Sequence, residues 1–243
     1  RMHPDPKGSR AALTRAIELG RKTGDDWTLN LALNTLGRTY IVTDDELHEG
    51  ERLFNEALET VDRTGLDAIN WAASGLAWVA MFRAEHERCR ELCERAVTAA
   101  RQLREPVTEA FANSIWVLDA THQGQAEAAL ERALANEARV TAAGAGFTYP
   151  IVRTELARAH STLGDLSTAR QLLELVIAGG ADGAWLLCRA VLLLGEVLLA
   201  MGDLDGAIGR AKDGIELSER VGNRSLWATG NEILARVAIV REE

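Results

Sequence analysis

The sequence predicts an all-α fold, a solenoid of about six helix pairs repeating every ~40 residues. Three observations carry that prediction. Small residues recur inside apolar helical segments at Gly37, Ala77, Val117, Ala157, Gly195 and Ala235, spaced 40, 40, 40, 38 and 40 apart. A second series runs between them at Ser9, Gly50, Cys89, Ala129, Ala169 and Ala207. Glycines punctuate the chain in the intervals left by the two series.

In the first series a bulky residue precedes each small one (Leu36, Leu76, Trp116, Leu156, Leu194, Leu234). Three positions after it stand Tyr40, Ala80, Ala120, His160, Leu198 and Ala238. In the second series Leu13, Phe54, Cys93, Ala133, Leu173 and Ala211 follow four residues on, then Ala16, Ala57, Ala96, Asn136, Val176 and Gly214 three further. Four-and-three spacing gathers these side chains on one helix face, which a neighbouring helix can approach closely.

The elements follow in order, with first-type helices carrying the first series and second-type helices the second. Second-type helices are predicted over roughly 8–22, 46–63, 86–103, 126–142, 166–178 and 204–220. First-type helices are predicted over roughly 28–43, 67–83, 107–122, 149–163, 184–201 and 225–240. Turns within pairs contain Gly124-Gln125, Gly164-Asp165 and Gly202-Asp203. Turns between pairs contain Thr23-Gly24-Asp25, Thr64-Gly65-Leu66, Gly144–Gly146, Gly179-Gly180 and Val221-Gly222-Asn223. Glycine past a helix end supplies left-handed backbone. Pro106 and Pro150 fall where first-type helices begin, a place proline tolerates. The run Asp44-Asp45-Glu46, and likewise Asp165 and Asp203, stand where a carboxylate caps free N–H groups. No linker divides the chain, so residues 1–243 form a single superhelical domain.

Composition narrows the function. Hydrophobic residues at 47% and charged residues at 26%, with four prolines, suit a packed helical chain and exclude disorder. Acids outnumber bases 36 to 27 for a net charge of −9, with no basic run. That balance speaks against direct nucleic-acid or membrane binding by this segment. Cys89, Cys93 and Cys188 read as small buried hydrophobes in a reducing, cytoplasmic setting. The most apolar stretch, Ala184 to Met201, is interrupted by Arg189 and Glu196, which makes it a buried helix. No signal peptide precedes the first helix, and the Arg1-Met2 start suggests a piece of a larger protein.

Catalytic and metal chemistry have no sequence support. His3, His48, His86, His122 and His160 lie at different phases of the repeat, and no HExxH or GxSxG motif occurs. Cys-x3-Cys lacks further ligands at metal spacing. The expectation is no enzyme, no metal and no cofactor.

Helix pairs with these small and large positions resemble tetratricopeptide (TPR) repeats over essentially the whole chain, although that family's usual period is 34. Gly37, Tyr40, Phe54 and Ala57 carry the resemblance best, with Leu194-Gly195 and Gly202–Ala207; the repeat with Val117 and Asn136 departs most. The resemblance implies a right-handed superhelix. Arg- and Ala-rich forty-residue repeats are also similar to sensor regions of large ATP-dependent LuxR-type (MalT-like) bacterial transcriptional regulators. Arginine outnumbers lysine 24 to 3, in keeping with a GC-rich bacterial genome. Neither a phosphate-binding Gly-rich loop nor a helix-turn-helix is recognisable in this chain.

In TPR-like superhelices the first helices line the concave groove. The resemblance therefore assigns to the groove the positions one after, three before and six before each first-series small residue. The candidate binding residues are Asn34, Arg38, Trp71, Ser74, Trp78, Phe82, Phe111, Ser114, His122 and Arg158. Aromatic residues with polar neighbours suit a peptide or small effector; aromatics at helical spacing are more often core. The lysine/asparagine carboxylate clamp of chaperone-binding TPRs is not matched, since Asn34 and Arg38 are followed by Ser74 and Trp78. The expected function is a sensor or interaction module of a multidomain bacterial regulator, receiving a protein, peptide or small-molecule effector on the concave face. A stand-alone adaptor is the alternative, and self-association into a homo-oligomer stays open.

Overall fold

A computed structural model describes residues 6–43, 46–64, 71–180 and 183–242. The described residues form twelve α-helices and no strand. They are α1 (Pro6–Thr23), α2 (Asp26–Thr43), α3 (Leu47–Thr64), α4 (Trp71–Phe82), α5 (His86–Leu103) and α6 (Pro106–His122). The others are α7 (Ala126–Ala142), α8 (Tyr149–Thr162), α9 (Leu166–Gly179), α10 (Ala184–Ala200), α11 (Leu204–Val221) and α12 (Arg224–Glu242). The fold is the all-α helical repeat that the two series predict. Asp44, Asp45, Gly65 and Leu66 lie outside the described residues.

Local chemistry accounts for the helix ends. Asp165 accepts from the Thr168 amide at 3.2 Å and Asp203 from the Gly206 amide at 2.9 Å, each capping a second-type helix. Asp25 and Asn223 do the same for first-type helices, through the amides of Thr28 and Leu226. Pro106 opens α6 and Pro150 is the second residue of α8. Within-pair turns place Gly124, Gly164 and Gly202 at φ 73°, 84° and 81°, and Ala84 takes the equivalent slot at 57°.

The chain divides into two compact units, residues 1–115 and 116–243, and the division falls inside α6 rather than at a linker. In the first unit each helix from α1 to α5 packs on the next, and α2 also packs on α4. Its central plug is Phe54, fully buried on α3. A Cβ added at Gly37 would come within 2.9 Å of the Phe54 ring, and one added at Gly75 would stand closer still. Glycine at both places lets α2 and α4 close on the ring. In the second unit each helix from α7 to α12 packs on the next, with α8 on α10 and α10 on α12. Leu173, Leu192, Val197 and Ile233 lie in its core.

Most of the small-residue series is contact surface. Gly37, Ala57, Ala96, Ala169 and Gly195 are all buried, while Ser9 and Ala235 in the terminal helices are exposed. First-type helices inside the chain sink deepest, with nine of twelve residues of α4 and eleven of seventeen of α10 buried, whereas the last, α12, buries three of nineteen. Second-type helices bury one face, five of eighteen residues in α5 and three of fourteen in α9. Cys89, Cys93 and Cys188 are buried thiols outside any disulfide, and burial pushes the Cys188 thiol up to about 12. No described helix is long and apolar enough to cross a membrane.

Candidate binding face

Eight candidate residues lie in the first unit, and two, His122 and Arg158, in the second. At about 100° per residue, repeat positions −6, −2, +1 and +5 relative to the first-series small residue share one stripe about 60° wide. Position −3 falls about 70° from the centre of that stripe, turned toward neighbouring helices. Along this stripe Leu31, Arg38 and Phe82 are exposed and Trp71 and Phe111 half-buried, while Trp78, Ile115, Leu118 and Glu155 are buried.

This geometry corrects part of the groove assignment. Asn34, Ser74 and Ser114, all at −3, are buried core residues. Asn34 donates from Nδ2 to the Asn30 carbonyl at 3.0 Å and to its Oδ1 at 2.9 Å, while Asn30 donates to the Ala57 carbonyl at 2.8 Å. That chain ties α2 to α3. Ser114 donates to the Ala110 carbonyl at 2.8 Å within its own helix. Ser74 Oγ and Asn34 Oδ1 are buried with no hydrogen bond among the described residues. Trp78, at +1, is only 6% exposed and packs edge-on against Phe82 at 5.9 Å. Indole bulk in α4, whose perimeter is nearly all covered, goes into the core rather than onto an open face.

The remaining candidates stay accessible. Arg38 and Phe82 are exposed, and Trp71 and Phe111 are half-buried. The Arg38 guanidinium lies over the Trp71 ring at 5.0 Å, and Trp71 tilts against Phe111 at 5.3 Å. Cation, indole and phenyl thus come from α2, α4 and α6, one from each of three successive first-type helices.

In the second unit the stripe carries charges. Glu155, 1% exposed, takes Arg189 Nη2 on one oxygen and Arg158 Nε on the other at 3.2 Å. The buried Arg189 also lies over the Trp185 ring at 4.9 Å. His122 is exposed over part of its surface. Burial of the rest lowers its pKa, Arg158 and more weakly Arg189 add to the lowering, and Glu155 and Asp119 oppose it. Sequence reasoning missed Glu155 and Arg189. The signal was available, because an arginine inside the apolar Ala184–Met201 stretch requires a buried partner.

Other features do not form a site. His160, half-buried, meets Asp165 at 3.0 Å beside the α9 cap. No described group of three or more His, Cys, Asp or Glu has metal-holding geometry. An open hollow of about 730 Å³ lies along α1–α3, away from every candidate residue. Its charges answer one another, with Arg21 Nη2 donating to both carboxylate oxygens of Glu56 at 2.6 and 2.7 Å.

No protein family's sequence profile matches the chain, and no curated protein sequence matches it. Solved structures do. The chain is similar to BtubC (BKLC) from P. vanneervenii, with a TM-score of 0.62, 16% identity, and 88% of this chain and 91% of that one covered. It is similar to the apo form of RapI, with a TM-score of 0.57, 13% identity, and 79% and 70% covered. Both are TPR-like helical-repeat structures, and the likeness is one of fold.

Proposed function

We propose that the chain is a binding module whose first unit holds an extended peptide or small effector along the first-type-helix stripe. The observation that carries this reading is the Arg38–Trp71–Phe111 series. A helical-repeat core is served by aliphatic and small residues; here three successive helices instead leave two aromatic rings and a cation accessible and in contact. Exposed apolar surface of this kind marks interaction sites, and tryptophan and arginine are enriched among binding hot spots. An apolar side chain of the occupant fits against the rings. A carbonyl or carboxylate fits the forked donors of Arg38, which makes no ion pair with a described residue.

The wider setting we propose is the sensor region of a cytoplasmic bacterial regulator of the LuxR-type (MalT-like) kind. The TPR-like fold and the predominance of arginine over lysine, 24 to 3, support it. Nucleotide-binding and helix-turn-helix modules flanking the segment in its gene are the expected context, and their absence favours a stand-alone adaptor. The binding reading is tested by selecting displayed random peptides against the protein and against Arg38→Ala and Trp71→Ala. Wild type should enrich peptides pairing an acid with an aromatic or aliphatic residue, and both variants should lose them. Equal enrichment by all three proteins refutes it.

A further inference from the structure

The first-type helices α2, α4, α8 and α10 each pack on the second-type helix that follows them. Among the described residues, α12 is a first-type helix without such a follower, and α1 is a second-type helix without such a predecessor. Burial registers both gaps. The first series is buried from Gly37 to Gly195 and exposed at Ala235; the second is buried from Gly50 to Ala207 and exposed at Ser9. Four positions after the first-series residue, Ile41, Met81, Thr121 and Leu199 are 5, 7, 8 and 9% exposed and Ser161 is half-buried, against 59% for Ile239. On α12 the open seam runs through Ala228, Glu232, Ala235, Ile239 and Glu242, all exposed. On α1 it runs through Ser9, Ala12, Ala16, Leu19 and Thr23, of which only Ala16 is half-buried. Both follow the alternating three-and-four spacing of a helix-packing seam.

We propose that these two faces are a self-association surface: α1 of one copy packs on α12 of a second copy as α3 packs on α2, and so completes a helix pair. The end helices of a solenoid ordinarily turn a polar face outward, whereas these seams keep the small and apolar residues that internal pairs bury. A second copy is the occupant because it supplies to each face the helix type that face lacks. The internal pairs set the register. A Cβ added at Gly50 of α3 would stand 3.3 Å from the Gly37 carbonyl oxygen, 3.5 Å from Tyr40 Cβ and 3.9 Å from Ile41 Cγ1. The equivalents place Ser9 of the incoming copy against Ala235, Ala238 and Ile239.

Size and charge agree with that register. Ser9 on Ala235 repeats the scale of Cys89 on Ala77 and Ala169 on Ala157, all four buried. A Cβ added at Gly195 would stand 3.4 Å from Arg210 Cβ, an ordinary contact that Ala235 would make with Ala12 of the incoming copy. The α1 helix carries Arg10, Arg15, Arg21 and Lys22 against Glu18, whereas both charged residues of the α12 seam, Glu232 and Glu242, are acidic. The contact is heterologous, since every copy offers one face of each kind. It joins separate copies and uses neither Arg38 nor Trp71, so it stands apart from the peptide-binding stripe.

The test is sedimentation velocity on the whole chain, at loadings from about 10 μM to about 1 mM so that even a millimolar affinity registers. Wild type should sediment faster as concentration rises. Ser9→Arg and Ala235→Arg, each charging an exposed position of one seam, should stay monomeric alone with unchanged helicity. Mixed, they should form a one-to-one dimer, because the first retains its α12 face and the second its α1 face. Val240→Arg, exposed on α12 but off the seam, should associate like wild type. Cross-linking checks the register: the 3.5 Å between the Gly50 and Tyr40 Cβ positions lies in the disulfide range of about 3.5–4.5 Å. Under mild oxidation Ser9→Cys mixed with Ala238→Cys should therefore give a disulfide-linked dimer that neither variant gives alone. A wild-type monomer at every loading would overturn the proposal and leave both faces to helices of another chain. Ser9→Arg and Ala235→Arg remaining monomeric when mixed, or Ser9→Cys cross-linking as well alone as in the mixture, would overturn it too.

Discussion

Replacing Gly75 by alanine should destabilise the first unit although alanine is the better helix former. Mid-helix Gly→Ala is worth about 1 kcal/mol in the helix's favour. Against this, the new methyl would overlap the ring of Phe54, which is 2% exposed and has no free volume to enter. Rotating the ring away from Gly75 drives it toward Gly37, where even a hypothetical Cβ stands at 2.9 Å. Overpacking a full core costs about 1–3 kcal/mol, so the net loss is up to about 2 kcal/mol. For a chain of this size that lowers the melting temperature by up to roughly 8 °C. Phe54→Leu supplies the control: with the ring gone, Gly75→Ala should turn neutral or stabilising. Thermal unfolding followed by circular dichroism on wild type, both single variants and the double variant measures the coupling. A stabilised Gly75→Ala in the wild-type background would refute the Phe54 plug.

Four further substitutions probe the same packing. Ala57→Leu and Ala169→Leu, at fully buried second-series positions, should each cost roughly 1–3 kcal/mol; unchanged melting temperatures would show the helix register to be wrong. Ala84→Gly places glycine where its repeat equivalents already are, at φ 57°. Relief of left-handed strain, less the added unfolded-state entropy, should raise stability by about 0.5–1 kcal/mol in thermal melts. Ser74→Ala removes a buried hydroxyl with no hydrogen bond among the described residues and should stabilise by about 1 kcal/mol; destabilisation in urea titration would mean that the hydroxyl has a partner.

Helix number, order and ends were legible because local chemistry sets them. Aspartate and asparagine caps, prolines at helix starts and glycines past helix ends are short-range signals that tertiary context did not override. Small residues at 40-residue spacing were legible for a different reason: close helix approach tolerates little else. The binding face was legible only in part. Its phase came from resemblance, and resemblance placed −3 in the groove, whereas Asn34, Ser74 and Ser114 turn into neighbouring helices. Trp78 shares the phase of Arg38 and is nonetheless buried, because accessibility depends on what packs beside α4 as well as on helical angle. Arg189 stands at −6, a position the groove assignment used, but its partner Glu155 stands at −2, which that assignment left out, so repeated positions alone did not pair α8 with α10.

The most direct test of the binding role is isothermal titration of one peptide selected on the wild-type protein against wild type, Trp71→Ala and Trp78→Ala, with helical content followed by circular dichroism. Trp71→Ala should weaken binding tenfold or more, about 1.4 kcal/mol, with helicity unchanged. Trp78→Ala should act first on stability. Wild-type affinity in a folded Trp71→Ala protein would contradict the assignment of the first-unit stripe as the binding face.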